Sequence, residues 1–145
     1  MAEKIKISAR FFNNVCDDTR FVREEVFMKE QGFENEFDEL DSRSIHVGIY
    51  CGDEIAATGR LIVDSEKGTF TIGRVAVLPQ FRHLHLGTEV MRQLEQKAKS
   101  MGAVTVQLSA QCRVRPFYEK NGYTASGEVY LDEHCEHIHM EKAIQ

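Results

Sequence analysis

A mixed α/β domain with a largely antiparallel first half is the fold that this sequence predicts. Three observations carry the expectation. Apolar residues alternate with period two over 45–63 and again in "TFTIGRVAVL", as half-buried strands require. They return at helical spacing over 19–31 and 86–101. The resulting order is a strand, a helix, three strands, a helix, a strand, a short helix and two strands. The 145 residues are 42% hydrophobic and contain no repeat, low-complexity tract or linker, so residues 1–145 are expected to form a single domain around one core.

Residues 4–9 alternate through Ile5, Ile7 and Ala9, which marks the first strand. Asp17 and Asp18 then precede a helical pattern over Thr19–Gln31 that Gly32 closes. The following "FENEFDELDSRS" has no apolar period and reads as a loop or ragged turn carrying Glu34, Glu36, Asp38, Glu39 and Asp41. Ile45, Val47, Ile49 and Cys51 share one strand face, "CGDE" turns the chain, and "IAATGRLIV" returns as the second arm of a hairpin. "DSEKG" turns again into "TFTIGRVAVL", which Pro79 ends because proline cannot donate to a sheet ladder. Leu86, Val90, Met91, Leu94, Ala98 and Met101 lie on one helical face, with Gly102 as the stop. "VTVQLSA" is the next strand, Pro116 opens a short helix "PFYEKN" at its first position, and Gly122 ends it. Segments 123–131 and 136–142 complete the chain as strands.

Eighteen basic side chains stand against 23 acidic ones, a net charge of -5. That balance argues against the broad cationic surface a nucleic acid demands and favours attraction of cationic small molecules. No stretch approaches the roughly 18 apolar residues of a membrane span, and the first fifteen residues lack a signal-peptide apolar run, so a cytoplasmic protein without a membrane partner is expected. Cys16, Cys51, Cys112 and Cys135 have no CxxC spacing and read as free thiols.

Two stretches carry chemistry. In "VAVLPQFRHLHLGTEVM" a strand, an Arg-containing loop and Gly87 lead into a helix whose first N–H groups lack intrahelical partners and attract anions, with Arg82 adding a positive charge. Arg82 as an ordinary surface residue is the plain alternative. In "RPFYEKNGY" a helix starting at Pro116 puts Tyr118 in its first turn, beyond the end of the preceding strand, as a proton donor or as a core aromatic.

Those stretches resemble the GNAT N-acetyltransferase superfamily: "VAVLPQFRHLHLG" is similar to its acyl-CoA pyrophosphate motif and "FYEKNGY" to its C-terminal helix motif. "VREEVFMKEQ", "DELD", "IGRVAV", "LSAQ" and "YLDEHCEHIHMEK" are similar to the ElaA/YjcF-like bacterial branch of that superfamily. The resemblance implies an acyl-CoA N-acyltransferase fold, a central, mixed, mostly antiparallel, splayed sheet flanked by helices. It implies acetyl-CoA as cosubstrate, with no metal, and direct transfer of acetyl to a primary amine without a covalent enzyme intermediate. The pantetheine arm would lie between the strands carrying Val75, Ala76 and Val77 and Leu108–Ala110. The pyrophosphate would meet Arg82, His83, Leu84, His85, Leu86, Gly87 and Thr88, with Gln111, Phe117 and Tyr118 completing the cofactor site. Tyr118 would protonate the leaving thiolate, and Cys112 would be a bystander.

Two departures from the motif stand out. His85 occupies the first glycine position, where a side chain crowds the approach of the backbone to the diphosphate. Thr69–Val77 has no Asp or Glu to serve as base, which leaves Glu30, His46, Glu128, His137 or a water chain. Cys135, His137 and His139 alternate on one strand, but their spacing is poor for zinc. The acidic run 34–41 is either a solvated loop or a funnel for a cationic amine. A non-catalytic acyl-CoA-binding module for sensing or partner binding is the rival to the enzyme. The acceptor class, from polyamine and amino sugar to peptide N-terminus and lysine, and the oligomeric state are not legible.

Overall fold

The computed structural model describes residues 5–144. Seven strands form one sheet: β1 (Ile7–Phe12), β2 (Ser44–Cys51), β3 (Glu54–Ile62), β4 (Thr69–Val77), β5 (Thr105–Gln111), β6 (Thr124–Asp132) and β7 (Cys135–Ala143). Their spatial order is β1-β2-β3-β4-β5-β7-β6. All neighbours are antiparallel except β4 and β5, which run parallel. The helices are α1 (Asp17–Arg23), α2 (Leu86–Ser100) and α3 (Arg115–Lys120). Among the described residues no helix is long and apolar enough to cross a membrane.

The periodicity places the elements within a few residues of their positions. The first strand is the main displacement: its ladder with β2 runs from Ile7 opposite Cys51 to Phe12 opposite His46. Ile5 therefore precedes the strand, and residue 4 lies outside the described residues. The first helix contains an irregularity that spacing could not reveal. After α1 the winding widens to a π-helix over Glu24–Glu30, and the Gln31 N–H reaches the Val26 carbonyl five residues back at 3.0 Å. That winding leaves Val26 and Phe27 adjacent and both buried.

Helices cover both faces of the sheet. On one face, Leu86, Val90, Met91, Leu94 and Ala98 of α2 pack on Val47, Ile49, Leu61, Phe70, Ile72 and Val106. On the other, Val22, Val26, Phe27 and Phe33 pack on Ala76 and Leu78. Close approach of α2 to the sheet depends on Gly59 in β3. A Cβ there would lie 2.5 Å from Val90 Cγ1 and 2.8 Å from Leu94 Cδ1, contacts that no real Cβ sustains.

Gly59→Ala is therefore expected to lift α2 from the sheet and destabilise the fold by about 2 kcal/mol. Urea unfolding should show a lower midpoint at unchanged slope; an unchanged midpoint would mean that the helix accommodates the methyl group freely.

Candidate active site

The parallel pair β4/β5 holds together over three residues, Thr69–Thr71 against Thr105–Gln107. Beyond them the strands diverge. A bulge in β4 accompanies the divergence: Arg60 of β3 faces Gly73, whereas Thr58, two residues earlier in β3, faces Ala76, three residues later in β4, with Arg74 in the left-handed region at φ 54°. The extra residue turns Val75 and Val77 toward α2 and Ala76 toward α1. A cleft of about 440 Å³ opens where the strands separate, bordered by Gly73, Val75, Leu108, Ser109, Tyr118 and His137.

β4 continues past the bulge to the entrance of α2. A 3-10 turn, Pro79–Leu84, brings the chain to His85, whose φ of 56° and ψ of 35° form the left-handed joint to the helix. No side chain caps that helix, so its first N–H groups stay available. His83 and Thr88 are exposed, Leu84 is half-buried, and Leu86 belongs to the core, leaving only its main chain to face a ligand. Phe117 of α3 lies under Gly87, where a Cβ would meet the ring at 3.1 Å. Arg82 is already engaged: NH1 donates to Glu30 at 2.8 Å, NH2 to the second Glu30 oxygen, and Nε to the Val77 carbonyl at 3.1 Å.

The other groups divide clearly. Tyr118 is half-buried, packs edge-on against Phe117 and Tyr123, and makes no hydrogen bond through its hydroxyl among the described residues; burial pushes its pKa up to about 12. His137 is buried, and its Nδ1 donates to the Cys135 carbonyl at 3.0 Å, which fixes the neutral tautomer with a lone pair on Nε2. Among the described residues Nε2 has no hydrogen-bond partner, and the residue borders the cleft.

Residues 14–144 match the family described as Acetyltransferase (GNAT) domain. The chain belongs to this family. It is 38% identical over 128 residues to the uncharacterized N-acetyltransferase YjcF of Bacillus subtilis, covering 86% of this chain and 90% of that protein. It superposes on an acyl-CoA N-acyltransferase from Pseudomonas aeruginosa with a TM-score of 0.81 at 28% identity, covering 97% of this chain and 100% of that one. It superposes on Escherichia coli ElaA with a TM-score of 0.82 at 23% identity, covering 96% and 99% of the two chains. The open, seven-stranded sheet is thus the GNAT acyl-CoA N-acyltransferase fold.

Within this GNAT fold two of the expected bases, His46 and Glu128, stand apart from the cleft, and Glu30 borders only its continuation beside Gln31, Gln111 and Arg113. Glu30 sits in its ion pair, and the hydrogen bond from Arg82 holds its carboxyl below the usual range. His46 is buried with Nε2 donating to the Asp41 carbonyl at 2.9 Å, and burial lowers its pKa. Glu128 is exposed on β6 and does not border the cleft. His137 does border it. Gln111 ties β5 to the end of the π-helix, donating to Gln31 at 2.8 Å. Ser109 bonds Tyr130, whose ring stacks on His137. Among the described residues no three His, Cys, Asp or Glu side chains converge as metal ligands, and all four cysteines are free.

The acidic run divides: Glu34, Asp38 and Glu39 are exposed, as a solvated loop requires, whereas Glu36 and Asp41 are buried. Glu36, Asp38 and Asp41 interlock with Arg23, Arg60 and Arg74: Arg23 pairs with Glu36 and Asp41 at 2.8 Å each, Arg60 with Asp38 at 2.8 Å and Asp41 at 3.0 Å, and Arg74 with Glu36 at 2.9 Å. Arg23, Glu36, Asp41 and Arg60 are buried, so the Glu36 and Asp41 carboxylates are neither solvated nor free to draw in a cation. Burial pushes the Asp41 carboxyl up, but bonds from Arg23, the Asp38 N–H and Arg60 outweigh it and hold the pKa at about 2; burial raises Glu36 instead.

A carboxyl held at about 2 stabilises the fold above the unfolded value near 4 and loses that contribution as pH falls toward 2. Asp41→Asn should therefore show a shallower loss of stability between pH 4 and 2 than the wild type, by on the order of 1–2 kcal/mol. Parallel acid limbs in urea titrations would remove Asp41 from the acid response. His85→Gly tests the helix joint: because the left-handed backbone disfavours any side chain, glycine should raise stability by about 1 kcal/mol, read as a higher unfolding midpoint. The obstacle at this position thus includes backbone strain, beyond the side-chain crowding inferred from sequence.

Proposed function

We propose that this GNAT transfers an acyl group, acetyl in the first instance, from its CoA thioester to a primary amine by direct attack, without a covalent enzyme intermediate. One observation carries the reading: Tyr118 and His137 both border the cleft between the diverging strands, and among the described residues neither the Tyr118 hydroxyl nor His137 Nε2 makes a hydrogen bond. The thioester supplies the activated carbonyl, and the rest falls to this chain. The gap left by β4 beyond Thr71 suits an extended pantetheine arm, with backbone donors near Val75, Ala76 and Val77 available to the developing oxyanion. The uncapped N–H groups at the start of α2 suit the diphosphate, and Arg82 joins them once released by Glu30.

His137 is the base in this reading, taking a proton from the attacking amine through Nε2. Tyr118, kept protonated at neutral pH by burial, supplies the proton for the departing thiolate. A second reading, an acyl-CoA-binding module without turnover, rests on His85 at the motif glycine and on the lack of a carboxylate on β4.

Acyl transfer measured with acetyl-CoA and an amine panel separates the two readings. Tyr118→Phe should lower kcat about 10–1000-fold while acetyl-CoA affinity stays within a few fold. His137→Gln should lower kcat/KM about 100-fold while acetyl-CoA affinity stays within a few fold. Tight acetyl-CoA binding with no transfer to any amine would leave the binding module standing.

A further inference from the structure

The charges bordering the cleft do not balance once internal pairs are set aside. Arg60, Arg74 and Glu36 belong to the six-membered network with Arg23, Asp38 and Asp41, three positive and three negative groups. The β6–β7 hairpin contributes Asp132 and Glu133 to the same cleft and Glu136 to its continuation beside Gln31, Gln111 and Arg113. Among the described residues no basic side chain pairs with any of these three. Glu133 is held in place: its two carboxylate oxygens accept the Glu34 and Asn35 N–H groups at 3.0 and 3.1 Å. Arg113 is the opposing cation, and its Nε donates to Gln111.

An acidic rim alone identifies nothing, but this one adjoins a group that points to a ligand. His137 is 6% exposed and borders the cleft, yet its Nε2 has no hydrogen-bond partner among the described residues. The strand register fixes the separation. Tyr130 pairs with His137 and Asp132 with Cys135, two residues along the same hairpin. Side chains two apart share a strand face and stand about 7 Å apart along it. Resting on the acyl-transfer reading, we propose that the acceptor is a dication: a short aliphatic diamine or the end of a polyamine, its reacting amine at His137 and its second ammonium against Asp132 and Glu133. An extended four-carbon diamine, about 6 Å between nitrogens from ordinary bond lengths, matches that separation.

Three acceptors of equal length test the assignment: 1,4-diaminobutane, butylamine and 4-aminobutyrate, whose far ends are cationic, neutral and anionic. The diamine should exceed butylamine in kcat/KM by about tenfold or more, and its lead should shrink with added salt. In Asp132→Asn/Glu133→Gln the ratio of the two values should fall toward one. Equal use of diamine and butylamine overturns the proposal, and preference for 4-aminobutyrate overturns it in favour of Arg113 as the anchoring charge. Calorimetry of 1,4-diaminobutane with the CoA-saturated protein gives a readout independent of turnover. Binding that weakens at least fivefold in the double variant supports the site; no binding, or binding indifferent to the substitutions, sinks it. Transfer to butylamine without a diamine advantage refutes this inference alone, whereas failure of all three amines with intact acetyl-CoA binding refutes the transferase reading.

Discussion

The cleft exists because one backbone residue is held where side chains are disfavoured. Arg74 lies in the left-handed region at the β4 bulge, and its guanidinium reaches Glu36 and Asp38 in the segment after the π-helix. Arg23 and Arg60 tie the same carboxylates, with Asp41, to the first helix and to β3. A left-handed arginine costs about 1 kcal/mol, and bulges persist when the surroundings over-determine them. Here the surroundings are salt bridges, partly sealed from water, so opening any one of them strands a charge in a poorly solvated site. The local strain, the buried charges and the separation of β4 from β5 are one arrangement.

Most of the fold was legible because each element is written in a single period. The bulge was also present in the sequence, though harder to see. In "TFTIGRVAV" the inward apolar positions run Phe70, Ile72, Val75, Val77, a step of three amid steps of two, and Gly73–Arg74 occupies the break. The charge network was not legible. Its partners lie 13 to 38 positions apart, and nothing local separates a carboxylate that will be buried against arginine from one that will stay in water. The insertion of β7 between β5 and β6 is likewise a long-range pairing that no local pattern encodes.

At the site, the motif-bearing residues were the readable ones. Arg82 and Tyr118 announced themselves by position, before a helix and within a helix's first turn. The engagement of Arg82 by Glu30, 52 residues earlier, depends on how the π-helix packs and has no signature in either segment. His137 could only be one candidate among four until the Cys135 carbonyl fixed which ring nitrogen keeps its lone pair. Three histidines in the chain's last 60 residues look alike as letters; their tautomers are decided by backbone geometry.

The interlocked arginines and carboxylates also bear on how such a sequence can drift. Positions 23, 36, 38, 41, 60 and 74 sit in four different segments, yet a change of sign or length at one leaves a neighbour without a counter-ion. Neutral wandering at any single position is therefore closed, and departures become passable only as compensated pairs or as a switch to an apolar set. Position 74 has a further exit, since glycine there would relieve the backbone while releasing Glu36 and Asp38. Lineages descended from a sequence like this one should change at these six positions in coupled steps, or hold all six still.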